Sequence, residues 1–253
     1  MSRLFQAYRA FHQQAFAPIF VHDHFDSKKL LEGCLAAGCK GIEYTLRRPD
    51  APEMIPWIRK NYPELFLLVG STIDDEGVVR KMRRRHPQLR TVAELADMDV
   101  DGFVSMLGWT EHGIRKYAPT HVIMPTAMTV TEALLQTSWG AHFQKLIGND
   151  IGFIKRCRGD AAFDYCPIIV TGGQTPATIP ATIQAGAIMI GTGFDLTLKG
   201  QPADVGVPKI AEVMRQYLQV SQQARAQTWP DLAKADAGPK QAWLDALPHW
   251  HPF

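Results

Sequence analysis

Short apolar runs recur along the chain, each ending at a polar or glycine-containing turn and each followed by a stretch with helical spacing. The runs cover 18–21, 41–45, 66–71, 102–105, 121–124, 141–146, 167–171 and 187–191. Strands that alternate with helices in this way predict a parallel α/β architecture, and eight of them predict a (β/α)8 TIM barrel. Ser27 is the expected N-cap of a helix over 28–37, with Gly38 as its stop. Thr175-Pro176 is expected to open the helix after the seventh strand, although Pro180 costs that helix a hydrogen bond or delays its start.

Three regions exceed a minimal barrel. Residues 3–15 have the spacing of an amphipathic helix laid before the first strand, and 90–101 adds a small element between the third and fourth strands. After about Ala224 the chain becomes rich in proline and tryptophan (Trp229, Trp243, Trp250). Such a tail is too apolar to stay free, so it is expected to dock on the barrel or on a neighbouring subunit. The chain therefore reads as one domain: a barrel over about 16–200 and a helical, aromatic-rich C-terminal extension over about 201–253.

Composition narrows the function more than the fold. A chain of 253 residues with a net charge of +2 has no general attraction for nucleic acid or an acidic membrane. Its one basic cluster, Arg80-Lys81-Met82-Arg83-Arg84-Arg85, reads as a solvated helix face. Cys34, Cys39, Cys157 and Cys166 lack zinc-ligand spacing and sit among apolar residues, as buried thiols do in a reducing compartment. The first twenty residues lack the apolar core of a secretion signal, and no run is long enough to span a bilayer. A cytoplasmic location is the expectation.

Candidate chemistry follows from strand alternation. In Gly41-Ile42-Glu43-Tyr44-Thr45, Ile42 and Tyr44 should face the helices while Gly41, Glu43 and Thr45 face the barrel axis. In the sixth strand Phe143 and Lys145 share a face, and Lys145 lies toward the C-terminal end, where barrel enzymes build their sites. A buried carboxylate and a buried ammonium can form a structural ion pair, but such pairs stabilise poorly because desolvation cancels the Coulomb gain. The functional alternative is a lysine that loses its proton and attacks a ketone, with Glu43 as the proton shuttle. Arg47, four residues beyond Glu43, offers a fork for a substrate carboxylate, and Ser71 and Thr72 add donors at the same rim. Two glycine turns, Thr171-Gly172-Gly173 and Gly191-Thr192-Gly193, expose backbone N–H groups after the last two strands, where barrels often cradle phosphate.

These residues resemble the family of 2-keto-3-deoxy-6-phosphogluconate and 4-hydroxy-2-oxoglutarate aldolases. The likeness runs from about Pro18 to Leu196. It is carried by Ala37-Gly38 with Ile42-Glu43-Tyr44-Thr45-Leu46-Arg47, by Val69-Gly70-Ser71-Thr72 and by Met128-Thr129-Val130-Thr131-Glu132. Phe143-Gln144-Lys145, Val170-Thr171-Gly172-Gly173, Ala185-Gly186-Ala187 and Gly191-Thr192-Gly193 continue it in order. The resemblance implies a metal-free, Schiff-base aldolase without a cofactor, commonly trimeric, that releases pyruvate and an aldehyde from a keto acid, phosphorylated or not. It further implies Lys145 as the Schiff-base lysine and Glu43 as the acid/base. Arg47 and Thr72 would then hold the pyruvyl carboxylate, and Gly172, Gly173, Thr192 and Gly193 the phosphate or distal end. The chain departs from the family after the lysine (Leu146-Ile147-Gly148), after the fourth strand (Ser105-Met106-Leu107-Gly108) and at the end of the first strand (Phe20-Val21-His22).

Rival readings rest on other residues. His22-Asp23-His24 has the spacing that opens the ligand set of metal-dependent barrel hydrolases, with Asp195 as a further ligand, whereas His121 and His142 fall at strand starts. A phosphate-binding barrel such as an epimerase would use the glycine turns without Lys145. A non-enzymatic role would leave the aromatic tail to a partner.

Overall fold

The computed structural model describes every residue except Asp23 and Asn149. Its strands are β1 (Phe16–Phe20), β2 (Gly41–Thr45), β3 (Phe66–Gly70), β4 (Gly102–Val104), β5 (Val122–Met124), β6 (Gln144–Ile147), β7 (Ile168–Thr171) and β8 (Met189–Gly193). They pair in parallel in the order β5-β4-β3-β2-β1-β8-β7-β6. The open ends meet where Lys145 bridges Thr126: Lys145 N donates to Pro125 O (2.9 Å) and Ala127 N to Lys145 O (3.0 Å). The result is the expected (β/α)8 barrel.

Its first helices are α1 (Arg3–Gln14), α2 (Ser27–Ala37), α3 (Ala51–Asn61), α4 (Glu76–Met82), α5 (Val92–Ala96), α6 (Glu111–Tyr117) and α7 (Val130–Ser138). There follow α8 (Ile151–Lys155), α9 (Ile179–Gln184), α10 (Phe194–Thr197), α11 (Val207–Thr228), α12 (Pro230–Ala235) and α13 (Lys240–Asp245). α11 closes the outer ring by packing between α2 and α9. No helix among the described residues is long and apolar enough to cross a membrane. All four cysteines are free and buried, as their apolar neighbours indicated.

Alternation sorts the side chains into two cores. Ile42, Tyr44, Leu67, Val69, Phe103 and Ile123 face the helices, while Leu68, Val104, Val122, Met124, Phe143 and Met189 fill the barrel. The N-terminal mouth is stoppered by α1, whose Phe5, Tyr8 and Phe11 are fully buried against that inner set. Gly41 opens β2 because a Cβ there would run into the Phe11 ring.

The aromatic tail docks on this stopper. Trp243 is fully buried, with Phe5 and Tyr8 edge-on at 5.7 and 5.9 Å. Arg225 grips Asp236 with two bonds of 2.7 and 2.9 Å, and Trp243 Nε1 donates to the same carboxylate (3.0 Å).

Local details refine the sequence reading in three places. Asp26, not Ser27, caps α2: its side chain accepts from Lys29 N, while the Ser27 hydroxyl is within bonding distance of Tyr44 Oη (2.7 Å) and donates to Asp50 (2.6 Å). The helix after β7 begins at Ile179 rather than at Thr175-Pro176: of the two expected effects of Pro180, the delayed start is the one that occurs, which puts this proline in the first turn. The chain is still helical at Ala224 and leaves α11 only after Thr228.

Candidate active site

β2 and β6 stand opposite each other in the ring, so inward side chains on them meet across the axis. Glu43 and Lys145 do so: Nζ lies 3.6 Å from Oε1, and each residue is only 2% exposed. A charged pair this far from water is costly to assemble and strongly felt by anything placed beside it. The carboxylate has room because Gly70, the inward residue at the end of β3, has no side chain. A Cβ there would collide with Glu43 Oε1 and lie 2.8 Å from Thr45 Cγ2. Thr45 itself donates to Phe20 O (2.8 Å) and ties β2 to β1.

Beyond β2 two adjacent arginines part company. Arg48 is buried and fully engaged: Nε donates to Tyr44 Oη and Asp50 Oδ1 (both 3.1 Å), Nη2 to Phe25 O and Asp50, and Nη1 to His22 O. Burial pushes the Asp50 carboxyl upward, but hydrogen bonds from Arg48, Ser27 and Tyr44 outweigh it and leave its pKa lowered. With Arg48 anchoring the turn, Arg47 stays exposed at the rim, without an ion pair among the described residues.

Arg47 borders a cavity of about 280 Å³ over the ends of β2, β3 and β4, which Ser71, Thr72 and Ser105 also line. Glu43 and Lys145 do not line it, so it adjoins the charged pair rather than containing it. The Thr72 hydroxyl is engaged with Val104 O (2.9 Å), and Ser105 Oγ donates to Thr72 O (2.7 Å). Ser71 is the unspent group: it has φ 63°, and its Oγ is buried without a partner. A left-handed serine with an orphan hydroxyl is backbone strain at a candidate site. The sequence named Ser71 only as an extra donor; its strain depends on how β3 ends and leaves no local signal.

The glycine turns sit across the mouth. Gly172 and Gly173 have φ of 87° and 67°, a conformation only glycine adopts freely. Gly172 N approaches Gly191 O at 3.4 Å. Thr192 is 1% exposed, on the helix-facing side of β8 by alternation, and its hydroxyl has no partner. Gly193 caps α10, and a Cβ there would strike the Asp195 carboxylate and approach Val21.

The residues of the metal reading gather only in part. His22 Nε2 stands 3.7 Å from Asp195 Oδ2 beside a cavity of about 270 Å³ that His24 also lines. Asp23 lies outside the described residues. His142 is at the opposite, N-terminal end, where its Nδ1 accepts from Ile123 N (3.2 Å) and burial lowers its pKa to about 3. Among the described residues, no group of three His, Cys, Asp or Glu side chains is arranged to hold a metal ion.

Fold and site together define a TIM barrel with an inward lysine–glutamate pair beneath an arginine-edged rim. No family model matches the chain, and no curated protein matches it. Solved structures do share the fold. KDPGal in its native form superposes with a TM-score of 0.65 at 22% identity, over 83% of this chain and 95% of that one. The 2-keto-3-deoxy-6-phosphogluconate aldolase of Zymomonas mobilis ZM4, solved with 3-phosphoglycerate, gives 0.60 at 21%, over 87% and 97%. Thiamine phosphate pyrophosphorylase from Pyrococcus furiosus gives 0.59 at 12%, over 84% and 98%. At these identities the likeness shows the fold, and the chemistry has to be argued from the site.

Proposed function

We propose that this protein is a Schiff-base aldolase that cleaves a 4-hydroxy-2-keto acid or 2-keto-3-deoxy sugar acid to pyruvate and an aldehyde. The observation that carries this reading is the buried Lys145–Glu43 pair, 3.6 Å apart on opposite strands. That two of the structural neighbours are, by name, KDPGal and a 2-keto-3-deoxy-6-phosphogluconate aldolase supports it.

Glu43 takes a proton from the Lys145 ammonium and leaves a free amine beside a neutral acid. The amine attacks C2 of the keto acid, and Glu43 returns the proton to the departing hydroxyl, so that water leaves and an iminium forms. Arg47 holds the C1 carboxylate at the rim. Glu43, again a carboxylate, accepts the C4 hydroxyl proton. The C3–C4 bond breaks, its electrons flow to the iminium nitrogen, and the aldehyde leaves. Protonation of the enamine at C3 and hydrolysis then release pyruvate and Lys145.

Burial of the pair serves this sequence by keeping bulk water from the proton exchanged between Glu43 and Lys145. Thr72 contributes to the carboxylate site only by turning its hydroxyl away from Val104 O. The distal end of the substrate would lie over the turn at Gly172 and Gly173 and beside Gly193, with Thr192 beneath them; the Gly172 N–H already reaches Gly191 O. A trimer is part of the same proposal.

Glu43→Gln preserves shape but not the shuttle. Pyruvate release from a 4-hydroxy-2-keto acid, followed by coupled reduction, should fall by about 10²–10⁴-fold. Turnover near wild type would make Glu43 a purely structural partner of Lys145.

A further inference from the structure

The cavity over β2, β3 and β4 differs in character from the charged centre beside it. Leu46, Ile73, Met82, Leu89, Met106 and Leu107 supply most of its wall. Polar side chains on its wall are Arg47, a cation with no ion pair among the described residues, Ser71, whose buried Oγ has no hydrogen-bond partner, and His86 and Gln88 at its edge beside Leu89. Apolar walls with a few convergent polar groups are the usual form of a small-molecule site. Arg47 and Ser71 are donors, so the ligand group that matches this pair is an acceptor with negative charge. A carboxylate accepts from a guanidinium and a hydroxyl together. The mostly apolar walls disfavour a polyol, most of whose hydroxyls would lose water without gaining a partner.

We propose that this cavity binds a monocarboxylate with a short, unbranched apolar chain. The carboxylate lies on Arg47 and Ser71, and the hydrocarbon lies between Met82 and Leu89 on one side and Met106 and Leu107 on the other. This site goes beyond the aldolase reading and shares Arg47 and the rim residue Thr72 with it. An acid of this class therefore competes with the keto acid for that cation.

The test is titration calorimetry with acetate, butanoate, hexanoate and 1-hexanol. Affinity should rise along the acid series by roughly threefold to fourfold for each methylene buried. Hexanol, which lacks the carboxylate, should bind roughly tenfold or more weakly than hexanoate, and Arg47→Gln should remove that difference. Met82→Asn and Met106→Asn alter wall residues that are already 38% and 39% exposed, so the fold should tolerate them. Each should weaken hexanoate while leaving pyruvate trapping on Lys145 unchanged. Equal affinity for acetate and hexanoate, or hexanoate binding indifferent to both methionine variants, would overturn the assignment. Hexanoate binding without pyruvate trapping would refute the aldolase reading and leave the cavity standing; trapping without hexanoate binding would do the reverse.

Discussion

Gly70 shapes the centre by what it lacks. Its inward position is filled by the Glu43 carboxylate, which a Cβ would displace. Gly70→Ala should therefore fold, because nothing requires a positive φ there, yet lose most aldol cleavage as Glu43 moves off Lys145. Unchanged turnover in the folded variant would show that the 3.6 Å pairing is dispensable. Glu43 and Lys145 were legible in the sequence because strand alternation has a strict period of two. Thr72 and Ser71 were less so: which of the two hydroxyls stays unspent depends on Val104, far away in sequence. Sequence alone does not separate Arg47 from its neighbour Arg48; bonds to Tyr44, Asp50 and the carbonyls of His22 and Phe25 make Arg48 the anchor.

At the scale of elements, the strands were readable and the helix starts less so. All eight strands formed where apolar runs stood, since each is a short buried segment between turn residues. Ser27 and Asp26 are both good caps, and the choice fell to Asp26 because Tyr44 and Asp50 claim the Ser27 hydroxyl. Where the tail would dock had no local signal either, as it is set by α1. That contact buries three imidazoles. Burial lowers the pKa of His142 and of His249 to about 3. His12 is lowered first by burial and then by His249, Arg225, His251 and Arg158, and it stacks on His249 at 5.1 Å. The unfolded chain, with histidines near the ordinary value of 6.5, binds more protons than the folded one between that pH and about 3. Stability should therefore fall as pH falls through this window. His12 has no hydrogen-bond partner at either nitrogen, so His12→Phe keeps the packing and removes one of the groups that must charge. Urea midpoints at pH 7 and pH 4.5 should drop in wild type and drop less in His12→Phe. Equal drops would place the acid sensitivity elsewhere.

For the whole molecule, the barrel is shared by proteins of different chemistry, so only site experiments separate the readings. A metal-dependent hydrolase built on His22 and His24 would lose activity to a chelator. The Schiff-base reading expects pyruvate formation to survive exhaustive chelation, and stoichiometric zinc lost in His22→Ala would reverse that ranking. Most direct is chemical capture of the intermediate. Incubation with pyruvate followed by borohydride should add one reduced pyruvyl group per chain, and peptide mass should place it on Lys145, with Lys145→Ala giving no adduct. An adduct on another lysine, or none on the folded wild type, would contradict the account.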